Sequence, residues 1–270
     1  MEKEAPMRDF DGKIVLVTGA STGLGAALAV GAATRGAKAV IINYAKSAAE
    51  AEATAAAVRA AGAEAVLAQG DVSDDGDCRA IAAKAEPYGR IDALANNAGV
   101  TKFAPAHGDL DALQSEDFLR LYSVNVIGPF QMLRAARPLL EASERASVLM
   151  VSSIAGVTGI GSSVAYAASK GALNTMTLSL ARVLGPKIRI NALCPGFIDT
   201  PRHEKGLPTE MVDRMREGTK RMTPLQAAST AEDIADAGLF FLSDASRHVT
   251  GETLLVDAGL HLGYSALTQR

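Results

Sequence analysis

Short apolar runs alternate with helical patterns along the whole chain. Runs such as IVLVT at 14–18 and AVIIN at 39–43 are apolar without alternation, which is typical of strands buried on both faces of a parallel sheet. Since no linker or fixed-period repeat interrupts the pattern, we predict an α/β fold with a single doubly wound domain and helices on both faces of a seven-stranded parallel sheet. The predicted strands are Lys13–Thr18, Ala39–Asn43, Ala63–Gln69, Ile91–Asn96, Ser147–Ser153, Ile188–Leu193 and Thr253–Asp257.

The sequence also marks where several helices begin and end. Ser47–Glu50 has the spacing of a capping box, and Thr230–Asp233 offers a similar start to the next-to-last element. Gly36 and Gly62 stand where helices are expected to end. The segment at about 200–225 is polar with prolines at both ends, so we expect short helices there. We interpret this segment as a substrate lid, because long excursions in compact domains often cover a site.

Composition narrows the classes of function. The 270 residues are 48% hydrophobic and 21% charged, which fits one domain over 1–270 with a flexible extension at 1–10. The net charge of −3 argues against a nucleic-acid partner, and no apolar run is long enough to span a membrane. The polar N-terminus is unlike a signal or transit peptide, so we expect a cytoplasmic protein. The two cysteines and four histidines lack metal-ligand spacing, and we expect no metal site.

A glycine-rich turn follows the first predicted strand and precedes a helix. Glycines there allow a tight turn and a close approach of the backbone to a pyrophosphate, and the helix N-terminus offers free N–H groups to an anion. A glycine-rich turn by itself is often an ordinary turn, so its place between strand and helix supports the interpretation. We predict that a dinucleotide binds at Gly19, Ser21, Thr22, Gly23, Leu24 and Gly25.

The glycine spacing, G-x-x-x-G-x-G, resembles that of the short-chain dehydrogenase/reductase family, and further family blocks follow in order. They are Asp71-Val72, Asn96-Asn97-Ala98-Gly99, then Ser153, Tyr166 and Lys170 in SSIAGVTGIGSSVAYAASK, and Pro195-Gly196. The resemblance covers about residues 10–262 and is to members such as the 3-oxoacyl-thioester reductases. It implies a Rossmann domain that moves a hydride between a nicotinamide cofactor and a carbonyl or alcohol.

The resemblance implies further contacts to the cofactor. They involve Asn43, Tyr44, Lys46, Ser47, Asp71, Val72, Asn97, Ala98, Gly99, Tyr166, Lys170, Pro195, Gly196, Ile198 and Thr200. NAD enzymes place an acid at the end of the second strand, whereas here no carboxylate appears before Glu50. We therefore predict a preference for NADP(H), with NAD(H) as the alternative. Ser21-Thr22 count against it, because NADP-dependent relatives often have a basic residue just before the second glycine.

The chemistry of carbonyl reduction explains the block around Tyr166. Reduction needs a proton donor, and the ordinary pKa of tyrosine, about 10, is too high for efficient transfer near neutral pH. Lys170 follows one helical turn later, and we expect its positive charge to lower the pKa of Tyr166. Ser153 would hydrogen-bond the substrate oxygen. The resemblance implies that Lys170 also holds the nicotinamide ribose and that Asn125 positions a water beside Lys170.

The expected substrate pocket is apolar with small residues, which suits a neutral carbonyl. Its residues are Ser153, Ile154, Ile160, Tyr166 and Phe197. We favour a general ketone or secondary-alcohol oxidoreductase over a 3-oxoacyl-[acyl-carrier-protein] reductase, because Pro138 stands about where carrier-protein reductases have basic residues. An enzyme acting on sugars or cyclitols is a further alternative, and a non-catalytic dinucleotide-binding sensor is the alternative from another class. The resemblance to this family, together with the apolar stretch at 118–140, predicts a homotetramer.

Overall fold

The computed structural model describes residues 9–199 and 209–263. Its main sheet contains seven parallel strands in the order β3-β2-β1-β4-β5-β6-β9. These strands are β1 (Ile14–Val17), β2 (Ala39–Tyr44), β3 (Glu64–Gln69), β4 (Ala93–Asn96), β5 (Ala146–Val151), β6 (Ile188–Pro195) and β9 (Thr253–Val256). The prediction of a seven-stranded parallel sheet is confirmed. The sequence pattern missed a separate two-stranded parallel sheet, β7 (Ile198–Asp199) with β8 (Ser229–Thr230), because two-residue strands leave no periodic signal.

Helices cover both faces of the sheet. They are α1 (Gly23–Thr34), α2 (Ala48–Ala60), α3 (Asp75–Ala83), α4 (Ser115–Tyr122), α5 (Gly128–Glu141), α6 (Ala155–Thr158), α7 (Val164–Leu184), α8 (Thr209–Met222) and α9 (Ala231–Leu242). Alternate residues of β1 serve opposite cores: Val15 and Val17 pack into one apolar cluster, Ile14 and Leu16 into the other. Burial on both sides explains why the strand sequences lack polar alternation. In the described residues no helix is long and apolar enough to cross a membrane.

Two helix-boundary predictions are confirmed and one is wrong. The capping box at Thr230 is present, since its hydroxyl accepts from the Asp233 amide at 3.2 Å and Asp233 accepts from the Thr230 amide at 2.8 Å. Gly36 and Gly62, which follow α1 and α2, have φ values of +101° and +98°. Ser47 precedes α2 but makes no side-chain capping bond, because its backbone (φ −88°, ψ 67°) departs from the extended form that aims such a side chain.

The described parts of the N-terminal extension and of the expected lid differ from the predictions. Phe10 is fully buried in the core, and its amide donates to the Arg35 carbonyl at 3.1 Å, so the flexible extension does not reach this residue. Residues 1–8 lie outside the described residues, as do 200–208. Residues 209–222 form one 14-residue helix, α8, instead of several short ones. Arg216 of α8 contacts both carboxylate oxygens of Asp199, at 2.5 and 3.1 Å, and thereby fixes the helix against β7.

Candidate active site

The carboxyl ends of β1 and β4 lie side by side at the point where the strand order reverses, which is where open α/β sheets bind ligands. The hydroxyl of Thr18 joins the two strand ends, accepting from the amides of Asn97 at 2.9 Å and Ala98 at 3.0 Å. The Asn97 side-chain amide donates back to the carbonyls of Thr18 and Gly19, at 3.0 Å each. These four bonds make the glycine turn and the loop after β4 one connected structure. Thr18 directly precedes the first glycine, but nothing in the sequence pattern indicates this linking role of its hydroxyl.

The glycines of the turn are required by geometry. Gly19 and Gly23 have φ values of +60° and +57°, in the left-handed region that side chains disfavour. A Cβ at Gly19 would lie 2.8 Å from Ala98 Cα, and one at Gly25 would overlap the Gly19 carbonyl and the Asn97 amide nitrogen. The helix α1 begins without a side-chain capping bond from Thr22. A close-packed turn that leads into an uncapped helix N-terminus fits the pyrophosphate of a dinucleotide.

We expect Gly25→Ala to lower the free energy of unfolding by about 1–3 kcal/mol, because the added methyl has no space. Cofactor affinity is expected to fall with it, since the turn must move to accept the methyl group. Urea denaturation and titration with NADPH measure the two effects. Gly218→Ala is the control: nothing lies within 4 Å of its Cβ position in α8, so stability should stay or rise slightly. Equal behaviour of the two variants would contradict the role of close packing at Gly25.

Asn43, predicted to contact the cofactor, has its side chain occupied within the protein. It is 1% exposed; its Oδ1 accepts from the Gly19 amide at 3.1 Å, and its Nδ2 donates to the Ala68 and Gly70 carbonyls at 3.1 and 3.0 Å. Both amide hydrogens are thus used, and the side chain braces the ends of β1, β2 and β3. The cofactor contact of Asn43 stays a prediction, and the side chain itself acts on the glycine turn.

Beyond Asn43, the ends of β2 and β3 border a cavity of about 360 Å³. Its lining residues are Ala45, Lys46, Gln69, Gly70, Asp71 and Asp77. Lys46 and the neighbouring Ser47 are exposed, and Tyr44 is half-buried. Hydrogen bonds from the backbone and side chain of Ser73 hold the pKa of the Asp71 carboxyl below its usual range, with a smaller contribution from Lys46. The cavity therefore holds carboxylates as well as a lysine.

Val72, next to Asp71, turns inward. It is 5% exposed, and a Cβ at Gly128 would lie only 2.9 Å from its Cγ2. Its carbonyl accepts from the Gln131 side chain at 3.2 Å. Val72 therefore packs on α5 and holds the chain that follows β3 against this helix.

The tyrosine and lysine lie on one turn of α7. The Ser163 hydroxyl caps this helix by accepting from the Tyr166 amide at 3.1 Å, which fixes where the tyrosine enters the site. The Lys170 ammonium lies 5.8 Å from the centre of the Tyr166 ring and donates to the Val151 carbonyl at 2.8 Å. Ser153 follows the end of β5 by two residues, beyond the strand predicted to include it. The cap at Ser163 was missed, although a serine three residues before Tyr166 is a typical helix start.

The pKa values of this pair differ from the expectation. Burial lowers the pKa of Lys170 to about 8, since the ammonium is 4% exposed. Burial also raises the pKa of Tyr166, while the Ser153 hydroxyl acts in the opposite direction. The prediction that Lys170 would lower the pKa of Tyr166 is therefore wrong for the protein alone, because desolvation dominates both groups. The phenol is held in its neutral form.

Asn125 lies at the centre of a π-helical turn, Ser123–Ile127, between α4 and α5. It is fully buried; its Oδ1 accepts from the Val100 amide at 2.9 Å, and its Nδ2 donates to the Val100 carbonyl and to Ser169 Oγ at 3.0 and 3.1 Å. A Cβ at Gly99 would lie 3.4 Å from Asn125 Oδ1 and 3.6 Å from Lys170 Nζ. Asn125 and Lys170 thus border one space, which a side chain at Gly99 would enter.

The predicted substrate residues other than Tyr166 lie in the segments that follow β5 and β6. Ser153 Oγ accepts from the Ala155 amide at 3.1 Å, and the half-buried Ile154 donates its amide to the Pro195 carbonyl at 2.9 Å. Ile160 is 75% exposed, and Phe197 is half-buried.

The last predicted cofactor contacts follow β6. Gly196 has no room for a side chain, because a Cβ there would lie 2.7 Å from Asp257 Cβ. Ile198 is half-buried in β7, and Thr200 lies outside the described residues. The close approach of Gly196 to Asp257 therefore fixes the loop that leads into β7.

The chain is similar to known proteins over nearly its whole length. The sequence profile of a family described as Enoyl-(Acyl carrier protein) reductase matches residues 19–261. The chain is 39% identical over 263 residues to a ketoacyl reductase assigned by name to the granaticin polyketide synthase of Streptomyces violaceoruber, covering 97% of this chain and 100% of the relative. It is 36% identical over 259 residues to L-rhamnose 1-dehydrogenase (NAD(P)(+)) of a Sphingomonas species, covering 95% and 99%.

The fold has a close counterpart among solved structures. A short-chain dehydrogenase/reductase from Burkholderia xenovorans is 40% identical and superposes with a TM-score of 0.85, covering 93% of this chain and 99% of that one. These likenesses confirm the resemblance inferred from the glycine turn and the Tyr-x-x-x-Lys block. The chain therefore belongs to the short-chain dehydrogenase/reductase family of NAD(P)-dependent oxidoreductases, which interconvert carbonyls and alcohols.

Proposed function

We propose that the enzyme interconverts a ketone and a secondary alcohol, with Tyr166 as the proton donor and acceptor. The observation that carries this proposal is that Lys170 lies beside the Tyr166 ring and borders one space with Asn125 at Gly99, with Ser153 acting on the phenol. The test is cofactor turnover against ketones, secondary alcohols, sugars and 3-oxoacyl thioesters. Turnover of sugars alone would contradict the proposal, whereas turnover of thioesters alone would keep the ketone chemistry and replace the general substrate by 3-oxoacyl thioesters.

Each side chain has a distinct task in this proposal. The bound nicotinamide supplies or accepts the hydride, and the protein controls the proton and the position of the substrate. Tyr166 donates its phenolic proton to the carbonyl oxygen, to which the Ser153 hydroxyl also donates a hydrogen bond. The phenol carries its proton at neutral pH, as reduction requires, and the hydrogen bond with Ser153 opposes the rise in the Tyr166 pKa that burial causes. Lys170, held by the Val151 carbonyl, holds the ribose hydroxyls.

Asn125 has a task of a different kind. Its three hydrogen bonds join the π-helical turn to Val100 and to Ser169, which lies on α7 next to Lys170. We propose that Asn125 keeps the loop after β4 at a fixed distance from Lys170 and positions the water predicted there. The amide geometry, which supplies both a donor and an acceptor to one backbone unit, suits this task.

The second candidate function is reduction of a 3-oxoacyl thioester. It is favoured by the ketoacyl reductase of the granaticin polyketide synthase, which is 39% identical to this chain. The sugar alternative is favoured by the name of the L-rhamnose dehydrogenase. A non-catalytic sensor is disfavoured, because relatives of this kind are named as reductases and dehydrogenases. The substrate panel separates these alternatives.

We further propose that NADP(H) is preferred over NAD(H). No carboxylate stands between β2 and Glu50 to repel a 2′-phosphate, and Lys46 lines the adjoining cavity. The exposed hydroxyl of Ser47 and the N-terminus of α2, which has no side-chain capping bond, add hydrogen-bond donors for an anion. Asp71 and Asp77 on the cavity wall would repel a phosphate at that position. Lys46 lines the same cavity and supplies the opposite charge, so it is the residue to test.

Lys46→Ala is expected to reduce the preference for NADPH over NADH by roughly 10- to 150-fold, the value of one charge-assisted hydrogen bond of about 1.5–3 kcal/mol. The measurement is the ratio of kcat/KM for the two cofactors. Lys38→Ala is the matched control, because this exposed lysine lies at the opposite end of β2. A wild-type preference for NADH would overturn the proposal. A preference for NADPH that survives Lys46→Ala would instead move the phosphate site to Ser47 or Tyr44.

A homotetramer is proposed for the assembled enzyme. Large apolar side chains are exposed on the continuous surface of α4, the π-helical turn and α5: Leu119 at 69%, Ile127 at 48% and Phe130 at 43%. Such a patch is typical of a surface that binds another copy. We expect light scattering at micromolar concentration to give four times the chain mass of 27.9 kDa, whereas the mass of a monomer would contradict the proposal.

We also propose that α8 belongs to the substrate lid and that the protein is cytoplasmic.

A further inference from the structure

Two loops join to form one wall beside Tyr166. The first follows β4 and the second lies between β5 and α7. The Thr101 and Ser162 hydroxyls share a hydrogen bond, and the Ala104 amide donates to the Ser162 carbonyl at 2.7 Å. His107 Nε2 contacts the Gly161 carbonyl at 3.1 Å. A Cβ at Gly161 would lie 3.5 Å from the ring of Tyr166, so this wall borders the reacting group.

The outer part of the wall is apolar. Phe103 is 73% exposed, Ile160 is 75% exposed and Val157 is 51% exposed; we name these three residues the apolar rim. Phe103 lies between Thr101 and Ala104, the two residues that bond to Ser162, and Ile160 precedes Ser162 by two positions. Single exposed apolar side chains need no explanation. Three that stand on two joined loops next to a candidate catalytic tyrosine indicate a binding surface.

Charge on the same loops is unfavourable for an anionic ligand. Lys102 is the one lysine or arginine within 97–114 and 154–163, and its ammonium is paired with Asp117 at 3.1 Å. The other charged residues of these two loops are the acids Asp109 and Asp111. A carboxylate or phosphate on the substrate would therefore meet no unpaired cation on this wall, and it would be repelled by the acids.

We propose that the apolar rim is the outer half of the substrate site and that the substrate is a neutral ketone or alcohol with a large apolar body. The inference rests on the proposed function, which puts the carbonyl at Tyr166 and Ser153. A ring system attached to that carbonyl would extend along the wall past Ile160 towards Phe103. Removing these side chains from water favours binding of such a body, whereas a small ketone gains nothing from the rim.

The experiment compares methyl ketones that differ only in the attached group: butanone, acetophenone, 2-acetylnaphthalene and the anionic 6-acetyl-2-naphthoate, with NADPH and NADH each supplied. We expect kcat/KM to rise with each ring and to fall for the naphthoate. Ile160→Ser and Phe103→Ser should each lower kcat/KM for 2-acetylnaphthalene by about 10- to 100-fold, the range expected for losing one buried apolar side chain, and Phe103→Ser should leave butanone within about twofold. Val183→Ser, an exposed apolar residue near the far end of α7, is the control.

The outcomes separate the two proposals. Failure to reduce any of the ketones would overturn the proposed function and the inference together. Equal efficiency with butanone and 2-acetylnaphthalene, or a preference for the naphthoate, would overturn the inference alone. A lower mass of the rim variants in light scattering would also overturn it, because the rim would then be an interface between copies of the chain.

Discussion

Tyr166→Phe is expected to lower kcat for ketone reduction by about 10²- to 10⁴-fold, the usual contribution of a positioned proton donor. Phenylalanine keeps the ring and its packing on Lys170 but removes the phenolic proton. The ring contributes little to holding the dinucleotide, so the dissociation constant for the cofactor should stay within about twofold. Stopped-flow reduction kinetics and fluorescence titration with NADPH measure the two quantities separately.

Tyr88→Phe is the matched control for this variant. Burial, together with a hydrogen bond to Glu64, raises the pKa of Tyr88 to about 12, yet this residue lies in a short 3₁₀ turn before β4, at the opposite end of the sheet. A raised pKa alone should therefore have no effect on turnover. If Tyr166→Phe kept more than about a tenth of the wild-type rate, Tyr166 would not be the proton donor.

Lys170→Met is expected to abolish turnover and yet stabilise the protein at neutral pH. The pKa of Lys170 is about 8 in the folded protein, against an ordinary value of 10.5. The fold therefore disfavours the charged form of this lysine, and the difference between the two pKa values corresponds to about 3 kcal/mol. Methionine removes this penalty but leaves the Val151 carbonyl without its partner, which costs about 1–3 kcal/mol. We expect a net gain of about 0–2 kcal/mol in the free energy of unfolding at pH 7.

The pH dependence of that gain is the sharper test. The penalty is fully present below pH 8, where folding must keep a charged ammonium buried, and it declines as the pH rises from 8 to 10.5. Urea denaturation should therefore show that the variant has a higher free energy of unfolding than the wild type at pH 7. At pH 10 its free energy of unfolding should be equal to that of the wild type or lower. A variant that is less stable at pH 7 would show that the Val151 bond outweighs the buried charge.

The strands could be predicted because β1, β2 and β5 are buried on both faces and contain no alternation to confuse the assignment. Tyr166 and Lys170 could also be predicted, because residues four positions apart lie on the same face of a helix, here α7. Contacts between distant segments could not. The position of Asn43 at a strand end suggests contact with a ligand, but its side-chain amide is hydrogen-bonded to three backbone groups, one in β3 and two just after β1 and β3.

The electrostatic error has a similar cause. The spacing of Tyr166 and Lys170 correctly predicts that the two side chains lie together, and charge attraction alone would then lower the tyrosine pKa. How deeply a pair is buried depends on the strands and loops packed around it, and the sequence does not state this depth. Desolvation reverses the expected direction for Tyr166 and lowers the pKa of Lys170 as well.

The hydroxyl of Thr18 has a thermodynamic consequence, because it bonds to the loop that leads to Val100 and Asn125 while standing next to Gly19. A dinucleotide that orders the glycine turn must also reduce the freedom of the loop beside the substrate. Such coupling is reciprocal: whatever factor the cofactor adds to the affinity for substrate, the substrate adds to the affinity for cofactor. We therefore expect the two ligands to bind cooperatively, with the Thr18 hydroxyl as a contact between their two sites.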